Sequence, residues 1–251
     1  MGLGKALSEG LARGGWSLVT DARDAAALEE SASELRSIAG AGSEIVAVAG
    51  DVADPGHRRD LVAAAARLGG LDLLVNNAST LGTSPLPPLA DYGLEDLRRV
   101  FEVNVIAPLA LVQDAMPLLH ESKDPRVLNV SSDASVEHYE TWGGYGAAKA
   151  ALDHVTGTLG AEQPRVRFWS VDPGDMRTRM HQDAFPGEDI SDRPLPETVV
   201  PAIVSLVTGD RPSGRYRASE LAADRGPEAG GEGAAEPGAQ PDTGPDEGRG
   251  P

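Results

Sequence analysis

Tyr145 and Lys149 stand four residues apart in Tyr-Gly-Ala-Ala-Lys, and Ser132 lies thirteen positions upstream in the Ser-Ser pair that closes the apolar run Arg126 to Val130. The segment from Trp142 to Leu159 is rich in Ala with interspersed Leu. It reads as a helix, which places residues i and i+4 on one face and the ammonium beside the phenol. A phenol ordinarily loses its proton near pH ~10. A neighbouring cation favours the phenolate, so the spacing predicts a Tyr145 able to exchange a proton with a substrate oxygen near neutral pH. Ser132 adds a hydroxyl to hold that oxygen. Acid, charge and oxygen anchor together are the parts of a site that interconverts carbonyls and alcohols. Alone the spacing is weak, because it equally describes a half-buried helix aromatic, a solvated charge one turn on and a strand-end serine cap.

The elements that must position these groups alternate along the chain. Leu3 to Ala12 reads as a helix, Trp16 to Thr20 as a strand, Ala25 to Ile38 as a helix and Glu44 to Ala49 as a strand. Pro55, suited to a helix's first turn, opens a helix that runs to Leu68. The apolar run Leu71 to Val75 has the pattern of a buried parallel strand. One amphipathic helix is predicted from Leu94 to about Leu119, then strand Arg126 to Val130, the Tyr/Lys helix, strand Val166 to Val171 and an edge strand over Gly214 to Ala218. This order specifies an α/β fold, a doubly wound parallel sheet with helices on both faces.

From Gly2 to about Leu221 the chain resembles the short-chain dehydrogenase/reductase family, through motifs that occur in the family's order. These are Gly2-Leu3-Gly4, Asp51-Val52, Asn76-Asn77-Ala78, Asn104, Ser132, Tyr145 with Lys149, and Pro173-Gly174 with Met176 and Thr178. The resemblance implies a Rossmann-type catalytic domain over residues 1–221 and hydride transfer between a nicotinamide and a small-molecule carbonyl or alcohol. Asn104, Ser132, Tyr145 and Lys149 are the implied catalytic set: Tyr145 as acid/base, Ser132 orienting the oxygen, Lys149 lowering the Tyr pKa and gripping the ribose, Asn104 holding a water linked to Lys149. Cofactor contacts are implied for Gly2, Leu3, Gly4, Arg23, Asp51, Val52, Asn77, Ala78, Tyr145, Lys149, Pro173, Gly174, Met176 and Thr178. Arg23 stands where an NADP-type Arg stands, so NADP(H) is favoured and NAD(H) is the alternative. Asp21, one residue before the NAD-type acidic position, is expected to point away. Ser79 occupies the place of the family's usual Gly. The family's Gly-rich motif begins on a first strand; here only its last two glycines are present, and upstream residues carrying that strand are expected. Relatives pair through the two long helices, which implies a homodimer or homotetramer. A non-catalytic dinucleotide-binding or regulatory protein is the alternative reading.

Composition narrows the classes. The chain has 251 residues, 40% of them hydrophobic, enough for one α/β domain with a full core. It holds no cysteine, which excludes disulfides and thiolate metal sites and fits a cytoplasmic protein; its five histidines show no ligand spacing. A net charge of −17 argues against nucleic acid. Asn104, Pro108, Gln113, Asp114 and Pro117 break the apolar run Val103 to Leu119, so no membrane segment is expected. From Ala222 to Pro251 the chain is Gly, Pro, Ala, Asp and Glu without apolar periodicity, and it is expected to be a disordered acidic tail.

Overall fold

The computed structural model describes residues 2–223. Residues that favour helix starts sit where helices begin. Helix α1 (Leu3–Arg13) leads to strand β1 (Leu18–Ala22). Helix α2 (Ala25–Ile38) is capped by the Asp24 carboxylate, which accepts from the N–H groups of Ala26 and Ala27. After β2 (Ile45–Ala49), helix α3 (Pro55–Arg67) opens on its proline with Asp54 accepting from Gly56 N–H at 2.7 Å. Strand β3 (Leu73–Asn76), helices α4 (Leu94–Phe101) and α5 (Ala107–Glu121), and β4 (Arg126–Val130) follow. Helix α6 (Gly143–Glu162), β5 (Arg167–Asp172), α7 (Arg179–Ala184), α8 (Val200–Thr208), β6 (Gly214–Arg217) and α9 (Ala218–Ala223) complete the described chain.

All pairings are parallel, and side chains on successive strand residues go to opposite faces. Leu128, Val130, Trp169 and Val171 pack one way, with Leu3, Leu7 and Leu11 of α1 and Ile203 and Leu206 of α8. Val127 and Phe168 pack the other way, with Val112, Ala115 and Leu119 of α5. The doubly wound α/β expectation therefore holds.

The sheet is in two parts. Strand β1 pairs with β2, and β3 to β6 form a four-stranded sheet in the order β3-β4-β5-β6. Among the described residues β1 and β3 share no pairing. Leu18 and Thr20 of β1 and Leu73 and Val75 of β3 line a cavity of about 1530 Å³ that is continuous with the candidate site. The cavity thus separates β1 from β3.

Four local expectations change. Strand β1 lies two residues later than Trp16 to Thr20. The helix predicted from Leu94 to Leu119 is broken by a π-helical turn over Glu102–Ile106. By length and composition Leu94–Glu121 could cross a membrane, with mean hydropathy 1.3 in its most apolar window, so the polar residues inside it do not disqualify it; half of that window is buried inside this fold. Helix α5 packs there against α3, β3 and β4. Ala222 and Ala223 end α9 rather than begin a tail, and the rest of the predicted tail lies outside the described residues.

Candidate active site

Two glycines let α6 carry Tyr145 to Ser132. A Cβ on Gly146 would stand 2.6 Å from the Ala134 carbonyl oxygen, and one on Gly144 would stand 2.6 Å from the Tyr92 ring. With hydrogen there, the first turn of α6 lies directly on the turn Asp133–Ser135, which Ser132 caps by accepting from Ala134 N–H at 3.2 Å. Tyr145 is 7% exposed and Lys149, one turn on, is 2% exposed. The Lys149 Nζ donates to the Val130 carbonyl at 2.7 Å and lies 5.6 Å from the centre of the Tyr145 ring. The predicted shared face is therefore real.

The electrostatics differ from the expectation. Burial pushes the Tyr145 phenol up to about 12, against hydrogen bonds with the Ser132 and Ser79 hydroxyls that favour the phenolate; Asp133 and Asp172 add to the rise. Burial brings the Lys149 ammonium down to about 8. The phenol is thus held in its protonated form rather than lowered towards neutrality. Desolvation by tertiary packing is the largest cause of the shift.

Ser132 donates its own proton to Asp133 Oδ1 at 2.8 Å. That carboxylate also accepts from Ala134 N–H at 2.8 Å and from the Tyr139 hydroxyl at 2.8 Å. If Ser132 turned its proton to a substrate oxygen, Asp133 would keep two partners. Asn104 is fully buried inside the π-helical turn. Its Oδ1 accepts from Thr80 N–H at 2.9 Å and from the Ser79 hydroxyl at 3.2 Å, and its Nδ2 donates to the Thr80 carbonyl at 2.9 Å. The Asn104 side chain thus clamps the segment after β3. π-Turns of this kind cluster at functional sites.

Of the residues predicted from the sequence, Gly2, Leu3, Gly4, Arg23, Asp51, Val52, Asn77, Ala78, Ser132, Tyr145, Lys149, Pro173, Gly174, Met176 and Thr178 all line one cleft. Asn104 lies behind its wall. Gly2 precedes α1 with no side-chain cap, leaving the helix start open to an anion, and a Cβ on it would meet nothing within 4 Å. Gly4 has a different reason: a Cβ there would be 2.5 Å from Asn77 Nδ2, so this glycine lets α1 pack on the turn after β3. Arg23 is exposed at the cleft edge, and Asp21, which also lines the cleft, lies 3.3 Å from His57 Nε2. Asp51 pairs with Arg99 at 2.5 Å and accepts from Ala53 N–H at 2.9 Å. Gly174, at φ +75°, makes the turn after β5, and Asp172 accepts from its N–H at 3.0 Å. Thr178 caps α7 by accepting from His181 N–H at 3.1 Å, and Met176 packs on the core beneath α1.

Sequence reasoning missed Arg99 and Arg215. Arg215 on β6 binds Asp153 at 3.0 Å and Asp172 at 3.5 Å and donates to the Ser132 carbonyl at 3.0 Å. These contacts span 62, 43 and 83 positions, and no local spacing signals them.

A parallel α/β sheet with a Ser, Tyr and Lys cluster beside a glycine-started helix fits an oxidoreductase class, and the comparisons agree with an oxidoreductase. The chain belongs to the short chain dehydrogenase family, whose model matches residues 1–189. It is 33% identical over 204 residues to the short chain dehydrogenase penD of Penicillium thymicola, covering 76% of this chain and 72% of that protein. With an uncharacterized oxidoreductase of Saccharomyces cerevisiae it shares 31% identity over 150 residues, spanning 58% of that protein's length. A short chain dehydrogenase structure from Pseudomonas syringae superimposes with TM-score 0.80 at 31% identity, covering 87% of this chain and 90% of that one. One from Shigella flexneri, complexed with NADP, gives TM-score 0.80 at 26% identity, covering 87% and 92%.

Proposed function

We propose that the protein interconverts a small carbonyl compound and its alcohol with NADP(H), Tyr145 giving or taking the proton. One observation carries this reading: a buried phenol, ringed by two hydroxyls and an ammonium, stands in a cleft whose other end is an open helix start beside an exposed arginine. The bound nicotinamide would supply or accept the hydride.

The chain's own residues divide the remaining work. The uncapped start of α1 at Gly2 suits the pyrophosphate, Arg23 the extra phosphate of NADP, and Asp51 with Val52 the adenine. The Shigella flexneri relative's complex with NADP supports that assignment. Asn77, Ala78, Pro173, Gly174, Met176 and Thr178 surround the nicotinamide end. A phenol raised to about 12 stays protonated through the physiological range, so it is set to donate to a carbonyl oxygen. Once it has done so, the Ser132 hydroxyl and the Lys149 ammonium hold the phenolate. Leu94 and Ile106, exposed on the α4–α5 run, suit the pairing of copies into a dimer or tetramer.

Titration with NADPH and NADH, followed by nicotinamide fluorescence, tests the reading. Saturable binding with NADPH about tenfold or more tighter is expected, as one charge-assisted phosphate contact provides. Binding of neither nucleotide overturns it.

A further inference from the structure

We infer that Ser79 is a positioning residue for the proton transfer, a hydroxyl that turns between Asn104 and the Tyr145 phenol. The inference rests on the reading of Tyr145 as the proton donor. Its starting point is the Asn104 carboxamide, whose orientation is fixed by the backbone of Thr80. Thr80 N–H can only donate, so the atom it meets at 2.9 Å is the carboxamide oxygen; the Thr80 carbonyl can only accept, so its partner at 2.9 Å is the nitrogen. Ser79, 3.2 Å from that oxygen, must therefore donate to it.

A serine hydroxyl has one proton and two lone pairs. Ser79 and Tyr145 line the same cleft, and the Ser79 hydroxyl acts on the phenol in the sense that favours the phenolate; with its proton given to Asn104 it offers the protonated phenol a lone pair. When the phenol O–H bond breaks and its proton passes to a substrate oxygen, the phenolate needs donors. Ser79 supplies one by turning its O–H from Asn104 to the phenolate; no proton leaves Ser79 and no bond to carbon changes. The turn costs little at Asn104, because Oδ1 keeps its bond from Thr80 N–H. The π-helical turn that buries Asn104 thus acts on the phenol through Ser79.

A glycine at this position has no hydroxyl to turn. Ser79→Ala and Ser79→Gly are therefore expected to lower kcat about tenfold, the size of one hydrogen bond to a charged group, with KM, NADPH affinity and Tm unchanged. Ser79→Thr, which keeps the hydroxyl, is expected to restore most of the loss. A merely structural Ser79 would instead move Tm and KM together and would not be rescued by Thr. Ala and Gly variants within about twofold of the wild-type kcat, or a Thr variant as slow as Ala, overturn the inference alone. Wild-type turnover that survives Tyr145→Phe overturns the underlying reading, and this inference with it.

Discussion

The Lys149 ammonium sits 5.6 Å from the centre of the Tyr145 ring while its proton is given to the Val130 carbonyl at the end of β4. This joins the helix that carries the phenol to the strand that carries Ser132. The cost is a cation taken out of water, visible as a Lys149 pKa brought by burial from 10.5 to about 8.

That shift predicts a pH dependence of stability. The folded-state pKa is depressed, so between about pH 8 and 10.5 the unfolded chain holds a proton that the native chain has released. Stability therefore rises with pH across that window, and the penalty is fully present below it. Compared with Lys149→Met in urea unfolding, the wild type is expected to gain roughly 3 kcal/mol from pH 7.5 to 10.5. A difference independent of pH would contradict the buried cation.

Gly2 and Gly4 separate cofactor binding from packing. Ala at Gly4 meets Asn77 Nδ2 at 2.5 Å and is expected to lower Tm and NADPH affinity together. Ala at Gly2 meets nothing within 4 Å and is expected to leave Tm nearly unchanged. Paired melting curves and nucleotide titrations distinguish the two; equal loss of Tm in both variants would refute the assignment.

Arg23 is expected to govern the choice of nucleotide. Arg23→Ala weakens NADPH binding about tenfold and leaves NADH binding within about twofold, as read from dissociation constants at fixed salt. Equal weakening of both nucleotides would place Arg23 elsewhere in the site.

Arg215 ties Ser132 to the sheet. Arg215→Met leaves Asp153 and Asp172 without their shared cation and is expected to cost about 2 kcal/mol in urea unfolding. Arg215→Lys is expected to recover part of it, since an ammonium cannot reach three acceptors as a guanidinium does. An unchanged midpoint in the Met variant would show the network to be inert.

What could be read from sequence was local. Asp24 and Asp54 mark helix starts, Pro55 marks a first turn, and the five apolar-biased residues Arg126–Val130 form the strand their pattern predicts. The four-residue spacing of Tyr145 and Lys149 places both on one face of a helix, which is also a local fact. The π-helical turn at Asn104 was not legible, because one widened turn inside a helix leaves no distinct residue spacing. Nor was the sign of the Tyr145 shift, since the burial adds Ala134 and Leu81 from other segments to the neighbouring Trp142. Helix α8, Val200–Thr208, is apolar on nearly every side and carries too little periodicity to separate helix from strand.

The most direct test of Tyr145 as the proton donor compares wild type and Tyr145→Phe in NADPH oxidation over a panel of ketones and aldehydes, with NADPH affinity measured alongside. A turnover loss of about 10²- to 10⁴-fold with nucleotide affinity kept within about twofold is the predicted result; a phenylalanine variant that turns over as the wild type does would contradict it.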